Sequence, residues 1–116
     1  MKRLSLRLLA VALMSGLSAT GSLAAGEPSV TLTLRDHRFT PATVTVPAGQ
    51  RVQVVLINQD RATEEFDSHD LRIEKMVMPG ATVRFFIGPL RPGAYEFVGE
   101  FHPGTAQGHI VAVAGQ

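Results

Sequence analysis

The stretch YEFVGEFHPGTAQG, residues 95–108, decides how the chain is read. Tyr95 and Phe97 alternate with Glu96 and Val98, the period of a strand with two unlike faces. The Gly99–Gly108 segment then reads as a loop that presents Glu100 and His102, and Gly108 leads into a second apolar run, Ile110 to Ala114. A loop held between two core strands is a rigid mount for chemistry. The rest of the chain reads as scaffold, with one further contribution, the acidic segment Glu64 to Asp70.

With 116 residues the chain has room for one domain. Residues 1–25 read as a secretory signal peptide and residues 26–116 as the domain. Lys2, Arg3 and Arg7 form a basic start, Leu8 to Leu17 is apolar, and Ser22-Leu23-Ala24-Ala25 offers small residues for cleavage. The apolar run is too short for a permanent membrane helix and no second candidate follows. Removing Lys2, Arg3 and Arg7 leaves eight basic against ten acidic side chains, a net of −2. The basic balance therefore belongs to the leader, and a nucleic-acid partner has no compositional support. The chain has no cysteine. Thiol chemistry, thiolate-ligated copper and cysteine-held iron–sulfur clusters are excluded.

Alternation recurs along the domain. Val30, Leu32 and Leu34 alternate with Thr31, Thr33 and Arg35, and Val44 and Val46 with Thr43 and Thr45. Arg51 to Asn58 is rich in Val, Leu and Ile. Leu71, Ile73 and Val77 share a side, as do Val83, Phe85 and Ile87. Pro47-Ala48-Gly49, Pro79-Gly80 and Pro92-Gly93 mark turns. The span Gln59–Asp70 reads as a polar loop. About seven short strands with no helix after the leader predict an all-β domain, an antiparallel Greek-key β-sandwich or barrel.

Glu100 and His102 are two residues apart, so an extended backbone would point both the same way. A carboxylate and an imidazole suit Cu(II), Fe or Zn. Read alone, the pair is better taken as part of a solvated loop. Glu64 and Glu65 are adjacent carboxylates whose repulsion a cation would relieve. His69, between Ser68 and Asp70, is a weaker candidate, as is Gln107. His37 and His109 read as structural or exposed, and Met76 and Met78 as packing residues. Ser68-His69-Asp70 is not a catalytic triad, whose members come from separate segments.

The whole domain resembles the cupredoxins. FTPATVTVPAG (39–49), Val54–Asn58 followed by Asp60, and residues 95–108 are similar to the family's second strand, third strand and C-terminal metal loop. The resemblance implies a cupredoxin-like Greek-key β-sandwich. It puts the family's cysteine position at or beside Gly99–Glu100, matches His102 to the ligand histidine, and brings Gln107 near the axial position. Glu64-Glu65 falls where another histidine ligand would come. EEFDSHDL (64–71), Glu74-Lys75, GPLRPG (88–93) and GEFH (99–102) are similar to a narrower branch. That branch is the cysteine-poor domains of bacterial iron uptake, in EfeO-type proteins and the small periplasmic cupredoxin of Ftr-type systems. It implies a periplasmic protein binding Cu(II) and/or an iron ion through Glu64 or Glu65, Glu100 and His102. It also implies delivery to an iron permease, with a periplasmic iron-binding partner, and an accessory role in Fe(II) oxidation. The alternative is a metal-free interaction module that docks a membrane or periplasmic partner through the acidic segment.

Overall fold

The computed structural model describes residues 26–115. The leader expected over residues 1–25 lies outside the described residues. Among the described residues nine strands form: β1 Ser29–Arg35, β2 Arg38–Thr40, β3 Thr43–Pro47, β4 Val52–Asn58, β5 Glu64–Ser68, β6 Ile73–Val77, β7 Thr82–Ile87, β8 Gly93–Gly99 and β9 Gln107–Val113. They build two sheets, ordered β2-β1-β4-β7 and β3-β9-β8-β5-β6. There is no helix among the described residues. The all-β sandwich expected from the alternation is present, with two more strands than counted and with parallel pairing between β1 and β4 and between β3 and β9.

The core is made by the inward parity of each strand. Leu32 and Leu34 of β1, Val52, Val54 and Leu56 of β4, and Phe97 of β8 are all fully buried. At the centre Phe66 stacks on Phe97 at 4.9 Å and meets Phe85 at 5.0 Å, while Phe39 sits edge-on to Phe97 at 5.1 Å. Burying one such ring stabilises the fold by roughly 1.5–3 kcal/mol.

Strand β5 is the main departure from the sequence reading, which predicts a polar loop over residues 64–68. It pairs with β6 on one side, Glu64 opposite Val77, and with β8 on the other, Phe66 opposite Gly99. Glutamate and aspartate are poor strand formers, but two flanking ladders outweigh that preference. The parity then decides which acids face where: Glu64, Phe66 and Ser68 point inward, Glu65 and Asp67 outward.

A second local feature positions the site. β1 and β2 are joined by only Asp36 and His37, both at positive φ (51° and 56°). This is the φ pattern of the tight hairpin turn that suits strand twist and normally takes Asn-Gly. Two non-glycine residues there cost about 1–2 kcal/mol each. The Asp60 carboxylate offsets that cost, accepting the Asp36 N–H at 2.7 Å and the His37 N–H at 2.9 Å.

Candidate metal centre

Glu64 opens β5 on its inward face and is 1 % exposed. A buried carboxylate must be fully hydrogen-bonded. Its Oε1 accepts the Glu65 N–H at 3.0 Å and the Phe101 N–H at 2.8 Å, and its Oε2 lies 2.6 Å from His102 Nδ1. The loop that carries His102 is closed on itself. His102 N–H bonds the Gly99 carbonyl, Ala106 N–H bonds the His102 carbonyl at 2.8 Å, and Gly99 N–H bonds the Ala106 carbonyl at 2.8 Å. The His102 ring is thus held over Glu64, and the His37 ring from the β1–β2 turn stacks on it at 3.6 Å with 13° between the planes.

The three residues bring one donor atom each, all within 4.8 Å of one another. Side-chain exposure rises from 1 % at Glu64 through 30 % at His102 to 42 % at His37, so the carboxylate forms a floor and the imidazoles the open rim. At metal–nitrogen distances of roughly 2.0–2.1 Å the three donors are near enough to share one ion once the Glu64–His102 hydrogen bond opens and the stacked rings turn so that each ring plane meets the ion. Two imidazoles and a carboxylate, with no thiol, suit Cu(II), Zn(II) or a non-haem Fe(II). The carboxylate would offset one unit of the cation's charge in a buried place.

The other candidates lie elsewhere. Glu65 faces out from β5. Glu100 is exposed, because the chain turns at residues 100–105 instead of staying extended, and His102 swings inward while Glu100 does not. His69 follows the far end of β5, about 16 Å from Glu64 at roughly 3.3 Å per residue. Gln107 uses its Nε2 to brace the loop, donating to the Pro103 carbonyl at 2.7 Å. His37, read from the sequence as structural or exposed, joins the cluster.

Glu100 instead belongs to the outer face. Hydrogen bonding and repulsion from Asp67, then slight burial and the charges of Glu65 and Glu74, raise its carboxyl above the ordinary 4.5. The folded chain therefore holds this proton more tightly than the unfolded chain does. Below 4.5 both states are protonated. As pH rises through the interval up to the raised value, stability falls. Glu100→Gln should remove that slope, raising the melting temperature at pH 7 and leaving it unchanged near pH 4; melts at the two pH values check it.

The family model for the cupredoxin-like domain matches residues 6–112. The chain belongs to the cupredoxin-like family. An uncharacterised protein of Rickettsia prowazekii (strain Madrid E) is 45% identical over 82 residues, which are 71% of this chain and 66% of the relative. The chain thus spans just under two thirds of that relative's length. Solved cupredoxin structures share the fold. Auracyanin A, a "blue" copper protein of Chloroflexus aurantiacus, superposes with a TM-score of 0.64 at 15% identity, covering 76% of this chain and all of auracyanin. The metal-binding domain of a Cu(I)-exporting P-type ATPase of Streptococcus pneumoniae D39 gives 0.63 at 13% identity, over 73% and 84% of the two chains. Amicyanin of Paracoccus versutus gives 0.58 at 15%, over 73% and 81%. This cupredoxin-like chain differs from a thiolate-ligated copper site in its chemistry, since it has no cysteine. Among its described residues no helix is long and apolar enough to cross a membrane.

Proposed function

We propose that this cupredoxin-like protein is an exported metal-binding protein that takes one copper or iron ion at His37, Glu64 and His102. The convergence of these three donors within 4.8 Å carries the reading. Copper proteins of the same fold support it, as does the resemblance of residues 64–71, 88–93 and 99–102 to cysteine-poor domains of iron uptake. In that role it serves iron import beside a membrane permease and a periplasmic iron-binding partner. A copper ion at the site would supply a one-electron couple that could assist Fe(II) oxidation. The protein's own part is to present the donors, and the hydrogen bond between Glu64 Oε2 and His102 Nδ1 must open for both of those atoms to face the ion.

Titration of residues 26–116 with Cu(II), Fe(II) and Fe(III) by calorimetry tests the reading. One ion should bind per chain. Glu64→Gln and His102→Ala should each weaken binding by more than about 100-fold, beyond the loss expected for a residue that only supports a ligand. Glu65→Ala and Glu100→Ala should stay within about threefold, under 1 kcal/mol. Wild-type affinity in both Glu64→Gln and His102→Ala removes the site.

One observation favours the metal-free docking module as a second reading. The outer face of the five-stranded sheet gathers Glu65, Asp67, Glu74, Glu96 and Glu100, while Arg35, Arg38 and Arg84 lie on the outer face of the other sheet. A basic partner surface would complement the acidic face. Partner capture that falls steeply with salt and ignores chelators would support that module over the metal carrier.

A further inference from the structure

The third donor of the cluster reaches it by an unusual route, and the structure names the residue responsible. His37 sits in a two-residue turn at positive φ twice in succession, a backbone uncommon for any non-glycine residue even though aspartate and histidine adopt it more readily than most. The Arg35–Arg38 pair of the β1–β2 ladder closes the turn. Further support comes from Asp60, whose two carboxylate oxygens take the two consecutive N–H groups of the turn, Oδ1 from Asp36 and Oδ2 from His37. The same Oδ2 is 3.5 Å from His37 Nδ1, so the ring's nearer nitrogen faces a negative charge. Asp60 is fixed in turn. Its N–H bonds Asn58 Oδ1 at 2.9 Å, and the Asn58 amide, fully buried, donates to carbonyls of Ala62, Val77 and Met78.

We propose that Asp60 is a positioning residue that makes His37 a metal ligand. It holds the turn in the one backbone shape that lays His37 on His102, and it orients the imidazole by drawing Nδ1 toward its own carboxylate. Nε2 is then the nitrogen left free for the ion. A carboxylate behind a ligand histidine fixes ring orientation and raises ligand basicity, and its loss lowers affinity tenfold to 100-fold in metal sites generally. The proposal rests on the three-donor site proposed above. It adds that the site has two imidazoles only while Asp60 is present.

The experiment has a metal-free arm and a copper arm. In the metal-free protein, NMR should show contacts between the His37 and His102 rings, with mutual ring-current shifts. Asp60→Ala should abolish them while the core resonances stay in place. Should Asp60→Ala fail to fold, Asp60→Asn keeps an acceptor for the Asp36 N–H but opposes the His37 N–H with an amide, so it should lose the same contacts. Persistence of the ring contacts in these variants overturns the proposal. In the copper-loaded protein, pulsed EPR should count two coupled imidazoles in wild type and one in Asp60→Ala. Affinity should fall about 10–100-fold, as in His37→Ala, and the double variant should be no weaker than His37→Ala alone. Two imidazoles retained in Asp60→Ala, or losses that simply add in the double variant, also overturn it. A wild-type protein that binds no copper refutes the metal site itself, and the metal-free arm still decides what Asp60 does.

Discussion

Gly99→Ala should abolish tight metal binding, although Gly99 has no side chain to offer an ion. A Cβ at this position would lie 2.7 Å from Glu64 Cδ, 2.9 Å from its Oε2 and 2.7 Å from Ala106 Cβ. Carbon atoms in contact stand about 3.5–4.0 Å apart, so something must move. Glu64 cannot yield freely, because two backbone N–H groups and His102 hold its carboxylate. Ala106 is fully buried and both of its backbone polar groups close the His102 loop. Overpacking of this kind costs about 1–3 kcal/mol. The displaced carboxylate should also bring the affinity loss expected for Glu64→Gln. Urea unfolding and chelator-competed Cu(II) titration measure the two effects, and wild-type affinity in Gly99→Ala would show that the floor of the site tolerates rearrangement. The same crowding explains the chemistry of the missing thiol. By resemblance the family's cysteine falls at or beside Gly99–Glu100, and at Gly99 the inward carboxylate fills the space such a side chain would need. Gly99→Cys alone should therefore give no intense visible band with Cu(II). Gly99→Cys combined with Glu64→Ala and Ala106→Gly, which together clear both contacts, should gain one.

How much of this was legible before the fold depends on what kind of force places each residue. The strands β1, β3, β4, β7, β8 and β9 follow apolar alternation, which local sequence carries, and they fall close to where the period of two puts them. Strand β5 does not, because its only apolar residue is Phe66 and its order comes from ladders to Ile73–Val77 and to Val98–Gly99, distant in sequence. Glu64 and His102 stood out by residue type. Choosing Glu64 over Glu65 needed the register of those ladders, since a shift of one residue exchanges inward for outward. Glu100 was drawn toward His102 by their spacing, which holds only for an extended chain. The hydrogen bonds from His102, Thr105 and Ala106 back to earlier carbonyls curl the loop and separate the two. His37 was the residue missed. Its only signal was local: a polar pair, Asp36-His37, between two strand-like runs, which a hairpin reading would have taken as a tight turn at the end of β1. What delivers it to the site is a carboxylate 23 positions further on, and no local pattern contains that contact.

Asn58→Ala should be among the most damaging single changes in the domain, lowering stability by about 3 kcal/mol or more. The side chain is fully buried at the end of β4 and acts as a junction between three segments. Its Nδ2 donates to the Ala62 carbonyl at 2.8 Å and approaches those of Val77 and Met78 at 3.2 and 3.3 Å, so two protons serve three acceptors. Its Oδ1 takes the Asp60 N–H. Truncation removes the amide from the buried Val77 carbonyl and from the part-buried Asp60 N–H and Ala62 carbonyl, and an orphaned buried group costs roughly 1–3 kcal/mol. Against a total of about 5–15 kcal/mol the loss is large. At about 4–8 °C per kcal/mol for a domain of this size, the melting point should drop by more than about 12 °C. Asn58→Asp is the informative companion. It keeps the volume and the acceptor for Asp60 but turns a carboxylate toward three carbonyl oxygens, so it should be no better than alanine at neutral pH and should recover as the pH falls and the acid takes up a proton. Because Asp60 hangs from Asn58, the folded fraction of Asn58→Ala should also lose the His37 contribution to metal affinity. A cost below about 1 kcal/mol in urea titrations would mean that the amide is one hydrogen-bonding group among many rather than the point from which the metal pole is suspended.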